Sequence, residues 1–139
     1  IAKTVEALNL AAVQLHGDED AAYIEVLRPL LPAHCQIWKA VGITSGEPLP
    51  ALDYQVDRLL LDTKVGSQSG GTGQAFDWTL LAGLDKSKLM LAGGLNPDNA
   101  LEAARVGCVG LDFNSGVESA PGRKDAHKLA AAFGALRQL

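Results

Sequence analysis

Asp62 ends the apolar run "LLLD" and is followed by "TKVGSQSGGTG", a segment of Gly, Ser and Thr. A carboxyl group at the end of a buried strand, beneath a pliable loop, suits general acid or base chemistry in a site that closes over substrate. The competing reading is structural, because Asp bonds its own backbone and caps turns. From this stretch alone both stay open. A second pattern lies further on. "AGGLN" carries Gly93 and Gly94, and "NSGVE" carries Ser115 and Gly116. Glycine at a strand end lets backbone amides approach an anion with no Cβ in the way. Either motif alone reads as a tight turn; the pair, on successive strands, reads as an anion site.

The elements that position these residues follow from periodicity. "AAVQLHG" (11–17), "QIWKAVG" (36–42), "RLLLDT" (58–63), "KLMLAGG" (88–94) and "VGLDFNSG" (109–116) are short apolar runs and read as strands. Between them lie helical patterns. "DEDAAYIEVLRPLLP" has Ile24, Leu27 and Leu31 on one face, acidic residues in its first turn and Pro32 beyond its end. "FDWTLLAGL" predicts a short helix with Asp77 near its start. Asn96, Pro97 and Gly107 predict a helix with an N-cap, a first-turn proline and a glycine stop. The last helix, from about Asp125, places Leu129, Ala132, Phe133 and Leu136 together, and "IAKTVEALNL" opens the chain as a helix.

Strand and helix alternating in this way imply a parallel α/β sheet with mostly apolar strands. Neither a linker nor a second domain is visible. Five strands in 139 residues are too few for a closed (β/α)₈ barrel, which takes about 200 residues or more. A small doubly wound fold and part of a barrel remain. Either puts the active face at the strands' C-terminal ends, which gather Gln14, His16 and Gly17; Lys39 and Gly42; Asp62 and Thr63; Gly93 and Gly94; and Asp112, Asn114, Ser115 and Gly116.

Bulk properties exclude several functions. A net charge of -4 offers no electrostatic case for nucleic acid or an anionic membrane, and no apolar run nears the roughly 20 residues that cross a bilayer. With 47% hydrophobic and 20% charged residues the expectation is a soluble cytoplasmic protein. The opening Ile1 suggests a processed or cut chain. His16 reads equally as a substrate contact and as a partner for loop carbonyls. His34 and His127 read as solvated, and their spacing suits no metal. Cys35, ahead of its strand, and Cys108, behind a helix, read as packing residues. "GSQSGGTG" is not a Walker loop, since no Gly-Lys-Ser/Thr ends it.

In family order, "AAVQLHGDE", "IWKAVGI", "LLLDTKVGSQSGGTGQAFDW", "LMLAGGLNPDN" and "GLDFNSGVESAPGRKD" resemble phosphoribosylanthranilate isomerase across essentially the whole chain. The resemblance implies a TIM (β/α)₈ barrel and an Amadori rearrangement of N-(5-phosphoribosyl)anthranilate, a phosphorylated small-molecule substrate. It implies no cofactor and no metal, and in some bacteria a fused indole-3-glycerol-phosphate synthase domain. Asp62 matches the family's general acid, which protonates the ribose ring oxygen, so burial is expected to raise its pKa. Gly93, Gly94, Ser115 and Gly116 match the phosphate-binding strand ends. Asp112 matches a residue near the sugar hydroxyls, Gln14 and His16 line the same mouth, and Gly70 and Gly71 match the mobile loop.

The family's base, a Cys in a "CG-T" motif on the first strand, and the Arg that holds the anthranilate carboxylate have no match here. The expectation is therefore a single domain, residues 1–139, forming a five-stranded portion of the barrel without its first three βα units and inactive alone. Two alternatives stand beside it: another phosphate-binding barrel enzyme, or a non-catalytic half-barrel that self-associates through its open sheet edges.

Overall fold

The computed structural model describes residues 1–65, 68–69 and 74–139. Gly70 and Gly71, the expected mobile loop, lie outside the described residues.

Helix α1 (Ala2–Leu8) stops at Asn9, which takes a left-handed conformation, φ 50°. Strand β1 (Ala12–Leu15) leads to helix α2 (Ala21–Leu27), which tightens into a 3₁₀ turn at Arg28–Leu30. The acidic residues expected in the first turn of α2 precede it instead, and the side chain of Asp20 caps it by accepting the Tyr23 N–H at 2.9 Å. Strands β2 (Gln36–Thr44), β3 (Arg58–Val65) and the short β4 (Gln68–Ser69) follow. "FDWTLLAGL" forms only a 3₁₀ turn, Trp78–Leu81, capped by Asp77. Ala82 is already extended and Gly83 has φ 80°, so the chain leaves the spiral before a second turn forms.

Strand β5 (Leu89–Leu91) precedes helix α3 (Ala100–Arg105), which starts later than Pro97. Asn96 still makes the cap-like bonds, its Oδ1 accepting the N–H groups of Asp98 at 2.8 Å and Asn99 at 3.1 Å, but they wind a turn ahead of the helix. Strand β6 (Gly110–Leu111), a 3₁₀ turn at Ser115–Val117, an unanticipated hairpin of β7 (Glu118–Ala120) and β8 (Arg123–Lys124), and helix α4 (Ala126–Leu136) complete the order. Asp125 caps α4 through the N–H groups of His127 and Lys128. Ala132 is buried, whereas Phe133, expected on the same face, is 59% exposed.

The main sheet runs β1-β2-β3-β5-β6, with five parallel strands in chain order and β4 antiparallel on β3. β1 pairs with β2 from Ala12↔Gln36 to Leu15↔Lys39, and β5 with β6 at Met90↔Gly110 and Leu91↔Leu111. Leu59, Leu60 and Leu61 are all buried, as expected for a strand covered on both faces. The chain divides into two compact units. The first, Ile1–Val41 with Ala51–Leu60, has Val5, Leu15, Ile24, Leu27 and Ile37 in its core. The second, Gly42–Pro50 with Leu61–Leu139, buries Ile43, Leu81, Leu91, Leu95 and Val117. Among the described residues no helix is long and apolar enough to cross a membrane.

Candidate active site

Asp62 sits inside β3, not at its tip, because the strand continues to Val65. Its side chain is half-buried, and Oδ1 accepts the Thr63 N–H at 2.8 Å. The strand runs past the carboxylate, so Asp62 caps no turn at this point, and its local bond is to the amide of the next residue in the strand. Beside it, the Ala92 N–H donates to the Leu61 carbonyl at 2.9 Å and brings in the end of β5. Gly93 follows with φ 81°. A Cβ at Gly93 would overlap Asp62 Oδ1 and lie 2.6 Å from Thr63 N and 2.8 Å from Thr63 Oγ1. Only glycine lets the two strand ends approach so closely. Thr63 is 2% exposed, and its Oγ1 has no hydrogen-bond partner among the described residues.

The same close packing continues along the second unit. A Cβ at Gly94 (φ 69°) would overlap the backbone of Gln74 and Ala75. One at Gly116 would overlap the Leu95 carbonyl oxygen and lie 2.7 Å from its carbon. Three backbone segments (74–75, 93–95 and 116) thus stack with no side chain between them. Among the described residues no hydrogen bond to the N–H of Gly94 or Gly116 is found. The Gly94 carbonyl, by contrast, is held by Asn99 Nδ2 at 2.9 Å.

Asp112 and Ser115 are exposed; the Asp112 N–H donates to Leu91 O at 2.8 Å and extends the β5–β6 pairing past β6. Sequence reasoning missed Lys124. From β8 its Nζ reaches back to Asn114 Oδ1 at 2.7 Å and Asn114 O at 3.1 Å, and pairs with Glu118 Oε1 at 2.7 Å. That hydrogen bond holds the Glu118 carboxyl below its ordinary value. The "APG" turn before "RK" was the available signal for a hairpin returning a cation to the glycine motif.

Gln14 and His16 belong to the first unit and are exposed. There, Lys39 is 3% exposed, in register with Leu15. Its Nζ donates to Gly17 O at 2.6 Å and Glu19 Oε1 at 3.1 Å, while the Gly17 N–H donates to Glu19 Oε1 at 2.8 Å. Partial burial pulls the Glu19 carboxyl upward, but the Gly17 amide and the Lys39 ammonium outweigh it and leave the pKa lowered. The segment after His16 is therefore fixed at both peptide groups of Gly17. Cys35 is buried just ahead of β2. Cys108 is half-buried, and burial pushes its thiol up against the weaker pull of Lys86, which keeps it protonated near neutrality. Both fit the packing role.

Comparison with known proteins agrees with these motifs. A sequence model described as N-(5'phosphoribosyl)anthranilate (PRA) isomerase matches residues 1–135. The tryptophan biosynthesis protein TrpCF of Vibrio parahaemolyticus is 55% identical over 137 residues, 99% of this chain and 28% of that protein. TrpCF of Yersinia pestis is 55% identical over 138 residues, with the same shares covered. The crystal structure of phosphoribosyl anthranilate isomerase from Thermus thermophilus superposes with a TM-score of 0.77 at 32% identity, covering 98% of this chain and 65% of that one. The chain spans under a third of the curated relatives it matches and about two thirds of the solved isomerase. By its motifs, its sheet and these matches, the chain belongs to the N-(5'phosphoribosyl)anthranilate (PRA) isomerase family.

Proposed function

We propose that this chain supplies the general acid and the phosphate cradle of a PRA isomerase. The reaction is the Amadori rearrangement of N-(5-phosphoribosyl)anthranilate to 1-(2-carboxyphenylamino)-1-deoxyribulose 5-phosphate. The observation that carries the reading is the close fit of Gly93 against Asp62 and Thr63. In that fit a half-buried carboxyl lies against Gly93, the residue before Gly94, which supports an acid beside an anion site. Asp62 gives its proton to the ribose ring oxygen as the C1–O bond breaks and the nitrogen lone pair forms the iminium. A base then takes the C2 proton, and the electrons of that bond neutralise the iminium to give the enolamine, which becomes the ketone.

Gly94, Ser115 and Gly116 hold the phosphate, Asp112 meets the sugar hydroxyls, and Gln14 and His16 line the mouth. The base and the carboxylate-binding Arg are placed outside these 139 residues, in the first three βα units of the barrel. A cytoplasmic location and fusion to an indole-3-glycerol-phosphate synthase domain complete the proposal; a relative's name, TrpCF, supports the setting in tryptophan biosynthesis.

The test is Asp62→Asn in the full-length protein, followed by anthranilate fluorescence as substrate is consumed. Loss of an acid step lowers turnover by about 10²–10⁴-fold. Unchanged turnover would remove Asp62 from the mechanism. A wild-type protein that binds phosphate but leaves this substrate untouched would favour another phosphate-binding barrel enzyme.

A further inference from the structure

We propose that Asn99 is the positioning residue of the phosphate cradle, an assignment that rests on the reading of Gly94 and Gly116 as the anion site. Its carboxamide joins the Asn96 N–H to the Gly94 carbonyl, which Asn96 Nδ2 also approaches at 3.5 Å. Oδ1 accepts the Asn96 N–H at 2.8 Å, and Nδ2 donates to the Gly94 carbonyl at 2.9 Å. The orientation is dictated by its partners, since a backbone N–H only donates and a carbonyl only accepts. Asn96 puts Asn99 in place by winding the turn between them, accepting the N–H groups of Asp98 and Asn99 on its own Oδ1. The Asn99 carbonyl then accepts the Ala103 N–H at 2.8 Å, which anchors the arrangement to α3.

Two consequences reach the proposed anion site. In a trans peptide the C=O and N–H point in opposite directions. Holding the Gly94 carbonyl toward Asn99 therefore turns the N–H of Leu95 the other way, and among the described residues that N–H carries no hydrogen bond. In addition, Gly116 packs directly on the Leu95 carbonyl, with its own Cβ position only 3.1 Å from Asn96 Cβ. The shape of the 94–96 turn thus sets where the second glycine strand end lies. One carboxamide fixes both halves of the cradle.

The experiment uses the full-length protein with Asn99→Ala and Asn99→Asp. It reads substrate KM and kcat, the dissociation constant of inorganic phosphate by calorimetry, and the melting temperature. Asn99→Ala removes both bonds, and the expected result is a KM and a phosphate dissociation constant each raised about 10-fold, with kcat changed less than about 3-fold. In Asn99→Asp the carboxylate faces the Gly94 carbonyl with no proton to donate. Its phosphate affinity is expected to fall further at neutral pH and to recover toward pH 4–5, where the carboxyl regains a donor. A lowered melting temperature with phosphate affinity and KM unchanged would overturn the proposal, leaving Asn99 a purely structural residue. If Asn99→Ala fails to fold, a phosphate affinity in Asn99→Asp that follows the wild type's own pH dependence overturns it equally. Should the wild type bind phosphate yet not isomerise the substrate, the functional reading falls while the phosphate measurements still decide Asn99. A wild type that binds no phosphate overturns both.

Discussion

Gly116→Ala tests whether the stacked glycine ends shape the site. A Cβ on Gly116 falls 2.7 Å from the Leu95 carbonyl carbon and overlaps its oxygen. Carbon atoms rest about 3.5–4.0 Å apart, so the segments must separate by about 1 Å. Leu95 is 2% exposed and cannot retreat without moving its own packing. A displacement of about 1 Å in a site's framework costs up to about 10²-fold in rate, and overpacking costs about 1–3 kcal/mol of stability. The expected outcome in the full-length protein is therefore a fall of about 10²-fold in kcat/KM, mostly through KM, with melting lowered by several degrees. Gly134→Ala is the control. Nothing lies within 4 Å of its Cβ position inside α4, so this change should raise stability by about 0.5–1 kcal/mol and leave activity alone. Wild-type kcat/KM in Gly116→Ala would show that the close approach is irrelevant to the cradle, and the geometric argument would fail with it.

Other outcomes follow from single groups. Thr63→Val should leave stability unchanged or raise it by about 1 kcal/mol in urea melts, because the buried Oγ1 has no partner among the described residues; a loss of more than that would mean another group or a bound water satisfies the hydroxyl. Lys39→Met strips the partner from a part-buried Glu19 and should cost about 3 kcal/mol, part of which Glu19→Gln recovers in the same background; no recovery would show that lost packing, not the orphaned charge, is the cost. Burial lifts the Asp57 carboxyl, but the Ile37 N–H at 2.8 Å and Arg28 at 2.9 Å outweigh it and depress its pKa. A depressed carboxylate adds stability that is present above its ordinary value of 3.8 and lost as pH falls through the depressed one, so Asp57→Asn should flatten the acid limb of the stability profile. Assayed alone, the 139-residue chain offers Asp62 but no placed base and should show no turnover above background; robust turnover would put a base among these residues.

The strands were legible where one physical cue dominated. "QIWKAVG" and "RLLLDT" are apolar runs too short for a helix and rich enough to be buried on both faces, and β2 and β3 form there. α4 was legible because Asp125 is a strong cap. What escaped has several causes. The exposure of Phe133 is not encoded in helical spacing, since the face that turns inward is chosen by what packs against Ala132. The start of α3 was misplaced because Asn96 and Asn99 compete for the same role, and the hydrogen bond of Asn99 to Gly94 decides it. The antiparallel return of β8 leaves no apolar signature, because "RK" is a charged pair.

The glycines meet two requirements, and the difference between them matters for how the site is held. Sequence reasoning valued them because a missing Cβ exposes an amide to an anion. The structure adds a prior requirement: at Gly94 and Gly116 the space a Cβ would fill is occupied by the backbone of a neighbouring segment, and at Gly93 by the Asp62 carboxylate with the Thr63 amide and hydroxyl. A loop held only by side chains has rotamers to lose and gains little precision. Backbone packed on backbone has no such freedom, so Gly94 and Gly116 are spaced by covalent geometry and van der Waals contact. Preorganised donors cost no rearrangement when charge arrives, which is the condition under which backbone amides bind an anion well. By this argument the glycines of the two strand ends work only if they do not move.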